Sequence, residues 1–245
     1  HADETSWKEG GRLLWLWVFT CASATLFVVG KRSREVLQGV LGETFAHWLM
    51  TDGYWAYRDY DWRLRCLAHI VRKARGLQQS LDRRAQPFGA QVLEVVETVM
   101  RAVYQARGAP PGVPLREHHA AMLANLFHAC TQHAGSSHEK TRALARELLN
   151  DWDTFWVVLD YPWLPLTNNE AERALRHWVI ARRIGNGTRT TQGTTAFANL
   201  ASVIETCRKR SVSPWPYLAE VIRQRRKGCP APALPAPVAL AVCTA

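Results

Sequence analysis

The strongest constraint in this sequence is a change of hydrophobic period near residue 75. Before it lie two near-continuous apolar runs, Leu13–Thr20 and Thr25–Val29, rich in β-branched and aromatic side chains and split by Cys21-Ala-Ser-Ala24. Such runs, bounded by small residues, predict a hairpin whose strands are buried on both faces. Ser33 is placed to cap a short helix ending near Leu41. Phe45–Met50 is a further apolar run, halted by Thr51-Asp52-Gly53, and Leu64–Ile70 another, leading into Arg72-Lys-Ala-Arg75. Beyond residue 75 the repeat becomes helical. Val92, Val95, Val96, Val99, Met100 and Val103 fall at i, i+3, i+4, i+7, i+8 and i+11. His119–Cys130 and Leu144–Trp156 keep the same spacing. The segments Gly108–Pro114 and Tyr161–Leu166 read as breaks.

The fold class expected is therefore α/β. An αβ part over 1–75 precedes a helical block over 76–158, a further helical part over 159–227, and a Pro/Ala-rich tail over 228–245 that should be flexible or polyproline-like. With 31 Lys+Arg against 21 Asp+Glu, the formal charge of +10 favours a polyanionic partner. The 6 cysteines include no Cys-x-x-Cys pair, which suits a reducing cytosol rather than a secreted disulfide framework. No signal peptide or membrane-spanning run is visible, so no membrane partner is expected. The chain starts at His1 rather than Met and reads as a fragment or processed product.

Asp52 stands where an apolar strand meets a glycine, the place where open αβ folds carry functional groups; Asp-Gly is equally a plain turn. In Thr167-Asn-Asn-Glu-Ala-Glu-Arg-Ala-Leu-Arg176, Thr167 and Glu170 have capping-box spacing, and Glu172 can pair with Arg176 one turn on. Cys66 and His69, three apart, make half a zinc site, and the histidines of the helical block offer no completion. Trp7, Trp15, Trp17, Trp48, Trp55 and Trp62 read mostly as core; Trp163 and Trp178 could stack on an unpaired base, with packing the plainer reading. Basic clusters recur at Lys31–Arg34, Arg72–Arg75, Arg182-Arg183, Arg208–Arg210 and Arg223–Lys227; each alone reads as a solvated face, and their recurrence in a chain of this charge suits a polyanionic partner.

Taken as an ordered set, Ala2-Asp-Glu-Thr-Ser-Trp7, Thr51-Asp-Gly-Tyr-Trp-Ala-Tyr57, Cys66-Leu-Ala-His69 and the Thr167–Arg176 segment resemble the insertion sequence 66 family of bacterial transposases. Ala201–Cys207 and Ser213–Leu218 resemble the end of that family's catalytic region, so the likeness runs over about residues 1–225. It implies a ribonuclease-H-like fold with an all-helical insertion between the second and third catalytic acids. It also implies Asp3, Asp52 and Glu172 as the acids of a DDE transposase. Glu172 is taken over Glu170 because the family pattern is Asn-Asn, two residues, then Glu-Arg.

Three carboxylates suit in-line phosphoryl transfer with two divalent cations, Mg²⁺ or Mn²⁺, roughly 4 Å apart. The resemblance further implies that Cys66, His69, Asn168 and Asn169 have structural roles beside the acids. Arg173, Arg176, Arg182 and Arg183 are expected to touch DNA, since guanidinium matches phosphate geometry. The partners implied are transposon ends and target DNA, a second copy in a transposition complex and accessory proteins of the same element, in a bacterial cytoplasm at the nucleoid. The family's N-terminal DNA-recognition and zinc-binding region is not among these residues. Two other readings stay open, a DNA-binding remnant without catalysis and a different ribonuclease-H-like nuclease.

Overall fold

Residues 1–237 are described in a computed structural model, and they divide into two compact units, residues 1–42 with 169 onward, and Glu43–Asn168. The chain is mixed α/β, with far more helix than strand. Residues 238–245, the end of the expected tail, lie outside the described residues.

The first unit opens on an antiparallel meander, β1 (Ala2–Glu9), β2 (Arg12–Thr20) and β3 (Thr25–Gly30), in the order β1-β2-β3. Gly10 and Gly11, both with positive φ, form the two-residue turn that joins β1 to β2, as strand twist favours. The predicted hairpin is β2–β3, but burial on both faces holds only for the second half of β2, where Leu16 and Val18 look one way and Trp17 and Phe19 the other; Leu13 is exposed, and in β3 Thr25 and Phe27 are buried while Leu26 is exposed. After α1 (Arg34–Leu41), this unit resumes with α8 (Asn169–Gly185), α9 (Thr191–Lys209) and α10 (Pro214–Arg226). Ala171, Ala174, Ala198 and Ala201 let α8 and α9 lie close on Trp7, Leu16, Val18 and Phe27. Hydroxyls from α9 close the outer edge of β3: Ser202 Oγ accepts from Phe27 N at 2.8 Å and Thr206 Oγ1 from Thr25 N at 3.1 Å. A bare strand edge is thereby covered.

The second unit begins with β4 (Leu49–Thr51), parallel to β5 (Arg63–Arg65). Then come α2 (Leu67–Gln78), α3 (Gln86–Gly108), α4 (Leu115–His118), α5 (Ala120–His133), α6 (Glu139–Asn150) and α7 (Trp152–Trp156). Of the periodic residues, Val92, Val96, Val99, Leu126, Leu144, Leu148, Phe155 and Trp156 lie in one core as expected, whereas Phe127 is exposed and meets Trp152 edge-on instead.

Several local expectations need correction. Only the end of the Phe45–Met50 run is strand, and Leu64–Ile70 is not one element. It straddles the end of β5 and the first turn of α2, because Cys66 N bonds back to Thr51 O while Leu67 starts the helix. Ser33 stands at the N-cap of α1 but makes no capping bond with its side chain. The core reading holds for Trp7 and Trp17, Trp15 and Trp48 are half-buried, and Trp55 and Trp62 are exposed; Trp163, for which packing is the plainer reading of the sequence, is exposed too. The tail segment 229–237 has neither helix nor strand; Tyr217 Oη donates to Pro232 O and Arg210 Nη1 to Pro235 O. Among the described residues the cysteines are free, and burial pushes the Cys130 thiol up to about 12, which keeps it inert.

Candidate active site

The acids implied by the sequence divide between the units, with Asp3 and Glu172 in the first and Asp52 in the second. Asp3 is half-buried near the start of β1, opposite Val18, and its Oδ1 accepts the Glu4 backbone N–H at 2.8 Å. Pleating turns Glu4 to the other face, where it is buried. Arg32 neutralises it there through Nε at 3.0 Å and Nη2 at 2.7 Å. Adjacent carboxylates thus differ in setting, Glu4 buried and paired and Asp3 half-buried, although an oxygen of each lies within 4.8 Å of the other.

α8 packs along β1 with its start toward the strand's start. Lys209 Nζ donates both to the Glu170 carboxylate and to Cys21 O, just beyond the residues of β2 that pair with the start of β1, while Arg182, farther along the helix, reaches Thr5 and Ser6. Glu172 therefore sits on the end of α8 nearest Asp3. The helix begins at Asn169, one residue later than a Thr167 cap implies, and the Glu170 carboxylate takes Lys209 Nζ instead of closing a capping box. Arg173, Arg176 and Arg183 are exposed on α8. Arg173 also lines a hollow of about 250 Å³ with Glu170, Ala174, Glu205, Arg208 and Lys209. Arg182 is held differently: its Nη1 donates to Thr5 Oγ1 at 3.0 Å, to Ser6 Oγ at 2.9 Å and to the Ser6 carbonyl.

In the second unit Asp52 is the first residue after β4, half-buried, and its Oδ1 accepts the Tyr54 N–H at 3.3 Å. The pieces expected beside it gather there. Cys66, the N-cap of α2, donates its backbone N–H to Thr51 O at 3.0 Å, and its Sγ accepts the N–H of buried Asn168 at 3.1 Å. His69 lies in the first turn of the same helix. Asn169, exposed, opens α8 in the other unit.

One element of this region escaped the reading of the sequence. Arg65 on β5 is 2% exposed, and its Nη2 donates to Asp52 O at 2.8 Å and to Glu147 Oε1 at 2.6 Å. Its Nη1 donates to Asp151, and the guanidinium lies 4.8 Å from the Phe155 ring centroid. Asp151, 3% exposed at the break between α6 and α7, also pairs with Arg63 at 2.9 Å and Arg58 at 3.4 Å. Burial alone would push the Asp151 carboxyl up, but Arg65, Arg63 and Arg58 outweigh it and hold it below its ordinary value. Gly53 completes the arrangement. Its φ is +123°, and a Cβ there would lie 2.1 Å from Arg65 Nη2. A signal existed: Asp151 interrupts the apolar stripe at Leu148 plus three, so a charge falls where the helical period demands burial.

As donors, Asp3, Asp52 and Glu172 are carboxylates on partly open surfaces, the hard oxygens that Mg²⁺ or Mn²⁺ prefers. Cys66, engaged through both its N–H and its sulfur, fits a structural role at the strand end. Among the described residues no helix is long and apolar enough to cross a membrane.

No solved structure matches the chain. It is 28% identical over 183 residues to the uncharacterized protein y4jO of Sinorhizobium fredii strain NGR234, covering 74% of this chain and 53% of that protein. It is 36% identical over 75 residues to y4hP of the same strain, also uncharacterized, covering 31% of this chain and 14% of that protein. The chain thus spans about half the length, or less, of these relatives. A family model for the transposase IS66 family matches residues 1–196. That stretch takes in Asp3, Asp52, Cys66, His69 and the whole Thr167–Arg176 segment, and it stops short of Ala201–Cys207. Matched over most of its length, the chain belongs to the IS66 family of transposases.

Proposed function

We propose that this chain is the catalytic region of a DDE transposase with a ribonuclease-H-like fold, and that it cleaves and transfers DNA strands. The observation that carries the reading is that one family match spans all three acids, each on a fitting element: Asp3 on β1, Asp52 just beyond β4, Glu172 in the first turn of α8. The antiparallel order β1-β2-β3 followed by a parallel β4–β5 pair supports the fold assignment. In this reading residues 1–75 and 159–227 build the catalytic domain, and the helical block 76–158 is the insertion.

Asp3, Asp52 and Glu172 would hold two divalent cations, Mg²⁺ or Mn²⁺. When bound, these supply Lewis-acid stabilisation of charge on the attacking and leaving oxygens of an in-line displacement at phosphorus. Water is the attacking group for cleavage, and the freed 3′-hydroxyl for joining. Arg173, Arg176 and Arg183 project from the helix that carries Glu172, where guanidinium can bind the phosphates flanking the scissile one. Arg182 contributes by fixing α8 on β1, and so Glu172 relative to Asp3. Transposon ends and target DNA are the substrates, with a second copy and accessory proteins of the element as partners at the bacterial nucleoid.

The test is incubation of the purified protein with duplex DNA carrying the element's ends in Mg²⁺ or Mn²⁺, followed by resolution of nicked and joined strands. Asp52→Ala and Glu172→Ala are expected to abolish both products while leaving DNA binding in place. Products that persist unchanged in both variants would sink the assignment. Cutting without joining would point to a nuclease instead.

A further inference from the structure

The Arg65 cluster lies within a single unit and is absent from every role assigned above. Three handles fix the backbone at Asp52. The ladder of β4 on β5 holds it from below, with Thr51 opposite Arg65, and Thr51 O accepts Cys66 N at 3.0 Å. The Tyr54 N–H holds one carboxylate oxygen at 3.3 Å. Arg65 holds the Asp52 carbonyl at 2.8 Å, and so sets the peptide plane between Asp52 and Gly53. That plane turns sharply, because Gly53 takes a positive φ and leaves its Cβ position to the guanidinium.

A buried arginine is costly to keep, since a desolvated ion is tolerated only with well-placed partners. This one is matched by Asp151 and Glu147, and it rests on the face of Phe155. All three partners belong to the helices of α6 and α7 or their junction. The same fold could cover the end of β4 with an apolar side chain. An arginine adds what an apolar residue cannot, a rigid fork that ties one backbone carbonyl to two carboxylates at once.

We propose that Arg65 is a positioning residue for Asp52, and that Asp151 and Glu147 hold Arg65 in place, so that the helices after residue 138 help aim the second acid. The proposal rests on the reading of Asp52 as a catalytic acid. Arg65 acts only through the backbone of its neighbour and touches neither DNA nor cation. Supporting groups of this kind typically alter metal affinity or rate by about 10–100-fold when replaced, because a small displacement of a reacting group is amplified in the rate.

The experiment compares wild type with Arg65→Lys, Glu147→Gln and Asp52→Asn. It measures Mn²⁺-dependent cleavage of duplex DNA bearing the element's ends, the Mn²⁺ concentration at half-maximal rate, and amide hydrogen exchange along the chain. Lysine keeps the charge but presents its donors from a single nitrogen and lacks the planar fork that reaches three separated acceptors; Glu147→Gln is the milder change should Arg65→Lys fail to fold. The expected result is faster exchange confined to residues 49–57 with the helices still protected. Cleavage should fall at least about 10-fold, with half-saturation shifted to higher Mn²⁺.

Unchanged exchange at 49–57 would overturn the proposal, as would loss of protection throughout the unit, which would mark Arg65 as a stability element alone. Wild-type cleavage and half-saturation in a folded Arg65→Lys protein, with Asp52→Asn inactive, would overturn the positioning role while leaving Asp52 as the acid. Cleavage undiminished in Asp52→Asn would remove the reading of Asp52 itself, and the positioning role with it.

Discussion

Replacing Asp151 by asparagine separates charge from shape at the centre of this cluster. The side chain is nearly isosteric and its carbonyl can still accept, so the change removes one negative charge and turns one of the two accepting oxygens into an NH2 donor that faces a guanidinium. That charge now faces three guanidinia, of which Arg65 is 2% exposed and Arg63 13% by side chain, while Arg58 is 43% exposed. Removing one partner of a buried ion pair costs about 3–5 kcal/mol, because the remaining ion stays buried without compensation. Glu147 still meets Arg65 at 2.6 Å, and the Arg58 contact, open to solvent, is worth less than about 1 kcal/mol. The low end applies, about 3 kcal/mol. With a urea m-value near 2 kcal/mol/M, the unfolding midpoint drops by roughly 1.5 M.

The pH dependence checks the cause. Because the arginines hold the folded-state carboxyl below its ordinary value, the ion pair contributes fully above the unfolded-state pKa and is lost as pH falls through the folded-state one. The stability gap between wild type and Asp151→Asn should therefore be flat from neutral pH to about 5, then close below about 4 as the wild-type carboxyl takes up its proton. Urea melts followed by far-ultraviolet circular dichroism, repeated across that range, measure it. A gap under about 1 kcal/mol at pH 7, or one that does not close in acid, would refute the assignment of a buried charge cluster.

Two further changes probe the same logic elsewhere. Gly53→Ala demands both a positive φ and the space of the Arg65 guanidinium, so it should destabilise by about 1–3 kcal/mol; combined with Arg65→Lys the costs should fall short of additive in urea melts, since both disturb one contact. Arg182→Ala removes the bonds to Thr5 and Ser6 and should lower stability by about 1–2 kcal/mol, with little effect on the salt dependence of DNA binding. Exposed Arg173→Ala or Arg176→Ala should leave the melt within about 0.5 kcal/mol and reduce the salt slope by about 1 each, measured by titration of labelled duplex at several salt concentrations.

Elements with a strong period and clear ends were legible in the sequence. The β2–β3 hairpin is marked by two long apolar runs around four small residues, and α3, α5 and α6 by stripes that recur every turn. Short elements were not. β4 and β5 have three residues each, too few to display a period, and Leu64–Ile70 looks uniform although its first residues are strand and its later ones helix. The acids proposed here stand out only within an ordered set of motifs, because an isolated Asp-Gly or Glu-x-x-x-Arg has an ordinary structural explanation. Arg65 was invisible for a different reason. It is recognised by Glu147 and Asp151, some eighty residues later, and no local pattern records a contact across that separation.

The fate of the arginines also changes what the charge of +10 means. Taken as a sum, it suggests a generally attractive surface for DNA, but the sum does not say which of the 31 Lys+Arg are open to a phosphate, and several are held within the fold. Arg32 meets Glu4, Arg65 and Arg63 meet Asp151, Arg116 grips Asp160, and Arg107 donates to the Pro162 and Leu164 carbonyls. A guanidinium that holds a carboxylate or carbonyl in the fold has little left to offer a phosphate. The alternation on α8 makes the distinction within one helix. Arg182 is bound to β1, whereas Arg173, Arg176 and Arg183 make no hydrogen bond or ion pair among the described residues. If DNA runs past Glu172, those three cations are the ones able to meet it. The adjacent Arg182-Arg183 pair, uniform in sequence, divides into one residue bound to β1 and one left exposed.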